Sequence, residues 1–443
     1  MITNPPPSLS LAGSAARFQE AILDASKLPG PSVGERYHHW RKLRHLQPPA
    51  GLTHERWWDA LKIHRLSGRR TPLISTSGRP FTFLPVDAAL AMLHEIDSNL
   101  RGQIELPAPV TTQANRERYL VSSLSEEAIS SSLLEGAVTT RRKAKELLAS
   151  QREPRSVGEK MVLNNYQAMN WLRERKDEPL TSELVLELHQ RMTAGTLEVP
   201  DAEGRLRRNV DGEDIVLRAL DSENIVHTPP PAAELAARME TMCAWANETS
   251  NEPFVHPVVR SIVLHFWLAY DHPFVDGNGR TARALFYWSM LRHGYWLAEF
   301  LPISRLFLKA PAKYANAFQY VETDEGDLTY FILFQLRVLQ RAADDLRTYL
   351  ARKSNETRAV TGLLRASANL NHRQIDLLTH ALLHDGTEYT IESHRHKHGV
   401  VYQSARSDLL DLAARGVLIQ RKVGRKLVFF PATGLETRLR RLR

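Results

Sequence analysis

Residues 257–292 read PVVRSIVLHFWLAYDHPFVDGNGRTARALFYWSMLR and contain two apolar helical patterns joined by a glycine-containing loop. The first pattern runs from Pro257 through HFWLAY and is apolar on nearly every side; the second is the segment RALFYWSML. A helix that is apolar all round lies inside a protein, surrounded by other elements. The stretch therefore predicts two adjoining helices in the middle of a helical bundle.

The loop between these helices has the composition of a polyphosphate-binding site. Gly277 and Gly279 allow the backbone to approach phosphate oxygens closely, and the N–H groups at the start of the second helix attract anions. Arg280 and Arg283 are three residues apart, so they lie on one face of that helix and can both reach phosphate oxygens.

Two further residues add chemistry to the loop. Asp276 offers a hard oxygen ligand of the kind that Mg²⁺ takes together with substrate phosphates. His272 can act as a general base, because the ordinary histidine pKa of about 6.5 is close to neutral pH. The loop therefore combines a base, a candidate metal ligand and an anion site.

The residues of the loop allow two other interpretations. Gly277, Gly279 and Ala282 also match the G-x-G-x-x-A pattern of dinucleotide sites, but no strand precedes them. A tight structural turn with a hydrogen-bonded histidine explains any one of these residues. It does not explain a base, a carboxylate, two glycines and two arginines within twelve positions.

The pattern around this centre divides the chain of 443 residues into four parts. Residues 1–112 comprise a tail and a small module, and residues 113–352 have the spacing of one all-helical domain. Within that domain, residues 213–231 (EDIVLRALDSENIVHTPPP) predict a hairpin stopped by three prolines. Residues 353–370 form a polar linker, and residues 371–443 have the helix–helix–helix–hairpin order of a winged helix.

Composition excludes several classes of protein. A hydrophobic fraction of 43% and a charged fraction of 24% are those of a globular chain. Cys243 is the only cysteine, so an intrachain disulfide and a cysteine-based zinc site are excluded. The N-terminus has no export-signal pattern and no segment has the length of a membrane span, so we expect a cytoplasmic protein without membrane contact.

The net charge of +8 is concentrated at the C-terminal end. Residues 395–443 contain twelve Lys or Arg against three acidic residues, which leaves the rest of the chain close to neutral. Such a segment can bind nucleic acid or an acidic protein, or it can be a solvated surface. The candidate nucleic-acid contacts are Arg406 on the third helix and, in the hairpin, Arg421, Lys422, Arg425 and Lys426.

The segment HPFVDGNGRTAR at 272–283 resembles the complete signature of the Fic family, H-P-F-x-[D/E]-G-N-G-R-x-x-R. The resemblance extends over residues 120–345 and includes His256, Pro257 and His265 upstream of the signature. It implies a mainly α-helical fold, a Fic-type bundle with a small β-hairpin flap. It also implies an adenylyltransferase that uses Mg²⁺ and moves AMP from ATP onto a Ser, Thr or Tyr hydroxyl of a target protein.

The resemblance assigns a role to each residue of the signature. His272 would deprotonate the hydroxyl, Asp276 would hold Mg²⁺, and Arg280 would stabilise the charge that develops on the transferred phosphoryl group. The catalytic residues implied in this way are His272, Asn278 and Arg280. The phosphates would lie among Gly277, Asn278, Gly279, Arg280 and Arg283.

By the same resemblance, the hairpin is a flap that holds the target chain by main-chain pairing. Asn224, Ile225, Val226 and His227 would border the nucleotide, although His227 is also compatible with a surface position beside the prolines. Tyr314 would face the nucleotide as well, and its alternative is an ordinary packing aromatic.

A second motif, SSLLEG at 131–136, resembles the family's inhibitory motif, [S/T]-x-x-x-E-[G/N]. It would lie on an inhibitory helix at about 124–148. Glu135 would pair with Arg283 and so remove the arginine that holds the ATP γ-phosphate. The alternative is an ordinary end of a helix. The matching residues are Ser131, Glu135 and Gly136.

The sequence leaves three functional questions open. The same site could remove AMP, because a glutamate beside the phosphates can orient a water molecule for hydrolysis. A DNA-binding regulator whose Fic domain only senses nucleotide is the alternative from another class. The winged helix can bind DNA or protein, and assembly as a homodimer is left open.

Overall fold

The computed structural model of the protein describes residues 4–9, 13–101, 113–150, 152–199, 201–209, 217–218, 225–248, 253–366, 370–383, 387–423 and 426–441. Its helices are α1 (Ala15–Ala25), α2 (Trp40–Leu43), α3 (His54–Arg65), α4 (Asp87–Ile96), α5 (Gln113–Leu134), α6 (Arg141–Ser150), α7 (Val157–Glu174), α8 (Ser182–Thr193), α9 (Leu235–Asn247), α10 (Pro257–Asp271), α11 (Asn278–Arg292), α12 (Ile303–Lys309), α13 (Pro311–Thr323), α14 (Thr329–Ala366), α15 (His372–Leu383), α16 (Ile391–His398), α17 (Tyr402–Ala414) and α18 (Leu435–Arg441). Its strands are β1 (Arg69–Ile74), β2 (Pro80–Phe83), β3 (Leu217–Arg218), β4 (Ile225–His227), β5 (Tyr389–Thr390), β6 (Leu418–Val423) and β7 (Lys426–Pro431).

The chain divides into two compact units, residues 1–104 with 117–346 and residues 105–116 with 347–443. Helices dominate both, and the strands form three small antiparallel sheets: β1–β2, β3–β4 and β5–β7–β6. The predicted mainly helical fold with a small hairpin is confirmed. Within the described residues, no helix has the length and apolarity that crossing a membrane requires.

Helices α10 and α11 are almost completely buried in the first unit. Trp267 on α10 and Trp288 on α11 each expose 1% of their surface. Helix α10 begins at Pro257, whose fixed φ and missing N–H suit the first position of a helix. It ends at Asp271, and the next residue, His272, has a left-handed backbone that turns the chain into the loop. The pair of buried helices predicted from residues 257–292 is therefore present.

The N-terminal residues pack with the helical core and are not a separate module. The Lys62 ammonium lies 2.8 Å from the Asp324 carboxylate, and the Tyr37 hydroxyl donates to Asp327 at 2.5 Å. All four side chains are buried. The boundary expected at residue 112 thus does not separate two compact bodies. Polar pairs between distant segments leave no periodic signal in a sequence.

The segment expected as one inhibitory helix at about 124–148 consists of two helices, α5 and α6. Helix α5 ends at Leu134 because Gly136 has a φ of +84°, a left-handed conformation that glycine adopts without strain. The Gly136 N–H bonds back to the Leu133 carbonyl and closes the last turn. The chain then turns through residues 135–140 into α6.

The polar stretch expected as a linker, residues 353–370, is helical for most of its length. Helix α14 runs without a break from Thr329 to Ala366. This helix contains Gly362 but no proline, so nothing in its sequence forces it to stop. Polarity alone does not distinguish a linker from a polar helix.

The second unit has an apolar core of its own, which includes Leu364, Leu378, Leu409 and Phe429. Helices α15, α16 and α17 and the hairpin β6–β7 follow one another in the order predicted for residues 371–443. Strand β5 pairs with the other edge of β7. The identification of this unit as a winged helix stays a prediction.

Candidate active site

His272 lies where α10 ends and the glycine-containing loop begins. Its φ of 45° is uncommon for a residue with a Cβ, and such conformations recur at functional sites. Burial, and then the neighbouring His227 and Arg207, lower the pKa of His272 to about 4. The imidazole is therefore neutral near pH 7, the form that accepts a proton.

The side chain of Asn278 shapes the loop. Its Oδ1 accepts from the Phe274 N–H at 2.9 Å, and its Nδ2 donates to the Phe274 carbonyl at 2.8 Å. The resemblance implied a phosphate contact for Asn278, but the buried side chain is already engaged within the loop. Its backbone N–H, at the start of α11, is the group that can reach an anion.

Gly277 is required by both its conformation and its surroundings. Its φ is +85°, and a Cβ at this position would lie 2.8 Å from the Thr193 side chain and 3.2 Å from His189 Nε2. A larger residue would therefore push the loop away from α8.

His189 on α8 holds the same loop and was not singled out from the sequence. Its Nε2 bonds to the Asp276 carbonyl at 2.8 Å, its Nδ1 accepts from the Gly204 N–H at 3.1 Å, and its ring stacks on Phe274. Burial lowers the pKa of His189 to about 4, so the ring is neutral and supplies one donor and one acceptor. Both are used to position the loop.

Arg280 and Asp276 form an ion pair at the start of α11. Arg280 Nη2 lies 3.0 Å from Asp276 Oδ2, and Arg280 Nη1 donates to the Met192 carbonyl at 3.3 Å. The Arg280 side chain is fully buried, whereas half of the Asp276 side chain is exposed. Arg280 is thus fixed in place, and Asp276 presents a carboxylate to solvent.

Arg283 is buried against the motif at 131–136. Its Nη2 lies 2.9 Å from Glu135 Oε1 and donates to the Ser131 carbonyl at 3.1 Å, while its Nε donates to Ser131 Oγ at 2.9 Å. Burial opposes the charge, but the Glu135 carboxylate raises the pKa of Arg283. The ion pair predicted between Glu135 and Arg283 is present.

The Glu135 carboxylate also lies against the first turn of α11. A Cβ added to Gly279 would lie only 2.1 Å from Glu135 Oε1. The C-terminal end of α5 disfavours a negative charge, whereas the N-terminal end of α11 favours one. Glu135 therefore sits in a place that suits an anion.

Two guanidinium nitrogens of this site, Arg280 Nε and Arg283 Nη1, have no hydrogen-bond partner among the described residues. Each arginine exposes 1% of its surface. A buried charged donor without an acceptor is costly, so these nitrogens fit a site that receives a multivalent anion. The triphosphate of ATP has the acceptors that they lack.

The residues also fit a magnesium ion that is bound together with phosphates. The half-exposed Asp276 is the one carboxylate of the signature, and Mg²⁺ usually binds through one or two carboxylates plus substrate phosphates. Over the described ranges, no group of three or more potential protein ligands comes together. An all-protein metal site is therefore not formed by those residues.

His227 anchors the end of the hairpin. Its Nδ1 lies 2.6 Å from Glu322 Oε2 and its Nε2 lies 2.6 Å from the Tyr270 carbonyl. The residue is buried, so the surface position that the sequence also allowed is excluded. In β4, Ile225 is exposed. Asn224 and the Val226 side chain lie outside the described residues.

Tyr314 lies beside Arg283. Its hydroxyl is 2.8 Å from His265 Nε2, and its ring stacks on Phe307 at a centroid separation of 4.3 Å. Burial raises the pKa of Tyr314 to about 12, so the hydroxyl stays protonated. These contacts agree with the packing alternative, and a contact with nucleotide stays a prediction.

Two further anchors were not apparent from the sequence. Asp271, directly before His272, is held by Arg238 at 2.7 Å and by Trp267 Nε1 at 3.0 Å. On α5, the buried Glu127 accepts a hydrogen bond from the Ser304 N–H at 2.9 Å. Each anchor joins different elements, so no local motif marks it.

The basic residues of the second unit lie apart from this chemistry in the sequence. The structure describes four of the candidate contacts: Arg406, Arg421, Lys422 and Lys426. All four are exposed, and within the described part of the chain none of them forms an ion pair. The Arg421 guanidinium lies over the Phe430 ring, 5.5 Å from its centroid. Arg425 lies outside the described residues.

Comparison with known proteins agrees with this site. Residues 179–290, which include the whole signature, match the model of the Fic/DOC family. The chain is 27% identical over 265 residues to a protein adenylyltransferase Fic of Drosophila willistoni, covering 58% of this chain and 45% of that protein. It is 30% identical over 168 residues to the protein adenylyltransferase Fic of Drosophila melanogaster, covering 37% of this chain and 29% of that protein. The matches thus span less than half the length of these curated relatives.

A solved structure supports the fold. The crystal structure of a Fic family protein from Desulfovibrio desulfuricans G20 superposes with a TM-score of 0.50 at 18% sequence identity, covering 77% of this chain and 94% of that one. At this identity the likeness concerns the fold alone. The chain thus has a mainly helical Fic fold, and its residues 179–290 match the model of the Fic/DOC family.

Proposed function

We propose that the chain is an auto-inhibited protein adenylyltransferase that transfers AMP from ATP to a Ser, Thr or Tyr hydroxyl of a target protein. One observation carries the proposal. A neutral imidazole, His272, begins the loop that leads into α11, and two buried arginines on the first turns of α11 have donors, Arg280 Nε and Arg283 Nη1, that lack acceptors among the described residues. The name adenylyltransferase borne by the Drosophila relatives supports the same reaction.

The proposed reaction uses His272 as a general base. Its ring nitrogen accepts the proton of the target hydroxyl, the hydroxyl oxygen bonds to the α-phosphorus of ATP, and the bond to the bridging oxygen breaks so that pyrophosphate leaves. Arg280 and the N–H groups at the start of α11 stabilise the charge that develops. When bound at Asp276, Mg²⁺ would neutralise charge on the phosphates.

The hairpin supports a role in holding the target. Strand β4 pairs only with the short strand β3 within the described residues, and Ile225 on it is exposed. An extended segment of the target can add to such a strand through main-chain hydrogen bonds. The anchored His227 keeps the end of the strand beside Tyr270, two residues before His272.

Auto-inhibition rests on the place of Glu135. Its carboxylate pairs with Arg283 and lies against Gly279, where a phosphate would approach the helix N-terminus. ATP and Glu135 therefore compete for the same cation. The same position of Glu135 favours a second candidate activity, AMP removal, because a carboxylate beside the phosphates can orient water.

Incubating the purified chain with a cell lysate and ATP labelled on its α-phosphate tests the proposed function. We expect labelled protein bands whose mass increases by one AMP at a hydroxyl side chain. A parallel incubation with pre-adenylylated target distinguishes removal, which releases AMP. Label that enters no protein even with the Glu135→Gly variant, in a chain that binds ATP, would contradict the transferase assignment.

The exposed cations of the second unit make duplex DNA its proposed partner. Because Lys and Arg displace counterions from DNA, the affinity should fall steeply as salt rises. The double variant Lys422→Glu/Lys426→Glu should weaken binding and lower the salt slope by about one per lost contact. Fluorescence anisotropy with a labelled duplex measures both.

A matched control for the DNA experiment is Arg142→Glu, which reverses an exposed charge on α6 of the first unit. It should leave the affinity and its salt slope unchanged. If binding responds neither to salt nor to the hairpin substitutions, DNA is not the ligand, and a protein partner takes its place.

A further inference from the structure

Arg207 joins three parts of the site that are separate in sequence. It lies before the hairpin and is 9% exposed. Its Nε donates to the His272 carbonyl at 2.9 Å, its Nη2 donates to the Pro230 carbonyl, and its backbone N–H donates to the Pro273 carbonyl at 2.9 Å. No motif in the sequence marked this residue.

The contact with Pro230 closes the base of the hairpin. Residue 207 precedes strand β3 and residue 230 follows strand β4, so the guanidinium ties the incoming chain to the outgoing chain. The same guanidinium holds the carbonyl of His272, whose left-handed backbone directs the ring. A displacement of the hairpin base is thus transmitted to His272 through one rigid, planar group.

The Arg207 guanidinium is held by main-chain carbonyl groups. Within the described part of the chain, no carboxylate lies within ion-pair distance of it, and its Nε and Nη2 donate to carbonyl oxygens. Burial lowers the pKa of Arg207, and the charge of the Asp271 carboxylate opposes part of that shift.

The segment before Arg207 is fastened to the same loop at a second point. The Gly204 N–H donates to His189, and His189 in turn bonds to the Asp276 carbonyl. A Cβ at Gly204 would lie 2.9 Å from the Gln190 side chain, so the segment also fits closely against α8. The segment at 204–207 thus supports both ends of the loop, His272 directly through Arg207 and Asp276 indirectly through His189.

We propose that Arg207 is a positioning residue that couples the hairpin, where the target chain docks, to the orientation of His272. The proposal rests on the proposed function and deepens it. When a target chain pairs with the hairpin, the His272 ring and the target hydroxyl are then both held in the positions that proton transfer requires. ATP binding is not coupled in this way, because the hydrogen bonds of Arg207 go to Pro230, His272 and Pro273 and not to the described residues at 277–283.

The test compares Arg207→Gln and Arg207→Lys in the Glu135→Gly background. Arg207→Gln should lower kcat about 10²-fold, the effect of a misplacement near 1 Å, and raise the KM for the target protein. The Kd for ATP, measured by calorimetry, should stay unchanged. Arg207→Lys should lower kcat less than Arg207→Gln does, because lysine keeps the positive charge. It should still lower kcat, because an ammonium group lacks the planar geometry that lets arginine donate to the His272 and Pro230 carbonyls together.

A pH profile separates positioning from stability. The groups around His272 are His227, Arg207, Asp276 and the Ala269 carbonyl, and the charge of Arg207 disfavours protonated His272. Loss of that charge in Arg207→Gln should raise the pKa of His272 and move the acid limb of kcat/KM to higher pH, towards the ordinary value of about 6.5. Arg207→Lys should leave the limb in place.

Arg260→Gln is the matched control, since Arg260 is also buried and also donates to a carbonyl, that of Trp245. It lies eleven residues before Asp271 on α10, about 16 Å along the helix. This variant can lower the melting temperature, but it should change neither the pH limb nor the KM for the target.

Hydrogen exchange gives a readout that does not need the reaction. Arg207→Gln should speed exchange in peptides that cover 225–228 and 272–277, and Arg260→Gln should not. If the Glu135→Gly parent transfers no AMP, the proposed function fails, and exchange still decides the coupling. Unchanged exchange, or an active parent whose kcat Arg207→Gln leaves intact, would overturn the role of Arg207.

Discussion

Glu135→Gly should raise AMP transfer about 10- to 100-fold, the range that corresponds to loss of a competing charge-assisted hydrogen bond of about 1.5–3 kcal/mol. The substitution removes the carboxylate that lies 2.9 Å from Arg283 Nη2 and against Gly279. Arg283 and the first turn of α11 are then open to the ATP phosphates. Incorporation of label from ATP into target and into the enzyme itself measures the gain.

The double variant Glu135→Gly/Arg283→Ala should lose most of this gain, because relief of the inhibition acts only through the arginine that it releases. Such non-additivity separates competition for Arg283 from a general loosening of α5. Glu126→Gly provides the matched control, since Glu126 lies on α5, the helix that precedes Glu135, but pairs with Arg141 on α6. It should leave transfer at the wild-type level.

Equal or lower labelling by Glu135→Gly, in a protein whose thermal unfolding shows that it is still folded, would contradict the inhibitory role. Glu135 and Gly136 would then be only the end of α5. The folding control matters because Arg283 is buried and loses its carboxylate partner in this variant.

His272→Ala should abolish transfer, with a loss of about 10²- to 10⁴-fold that is typical for removal of a general base. The variant should bind ATP as tightly as its parent, because the loop glycines, Arg280 and Arg283 are unchanged and Asn278 still holds the loop through Phe274. Label incorporation gives the rate, and calorimetry gives the affinity for ATP.

His293→Ala is the matched histidine control. His293 follows the last residue of α11 and bonds to the Ser289 carbonyl, at the opposite end of the helix from the site. This variant should transfer AMP at the parental rate. Undiminished transfer by His272→Ala would show that another group removes the proton.

The local part of the site was predictable from the sequence. The two buried helices follow from apolar residues on every side of residues 257–292, and the loop between them follows from two glycines at a helix start. These features depend on neighbours within one or two turns, so periodicity and composition reveal them. The pairing of Glu135 with Arg283 was predicted as well, but only through a resemblance, because no local pattern links residues so far apart.

The sequence by itself determined the types of residue in the loop, their spacing and the helices that carry them. Only the tertiary structure decided which side chains are free to meet a substrate. It bonds the Asn278 side chain to Phe274, buries His227 between Glu322 and Tyr270, and leaves donors of Arg280 and Arg283 without partners among the described residues. It also brings in Arg207 and His189 as supports of the loop. The physical reason is that burial and hydrogen-bond satisfaction depend on elements distant in the chain, and a short stretch of sequence carries no record of what packs against it.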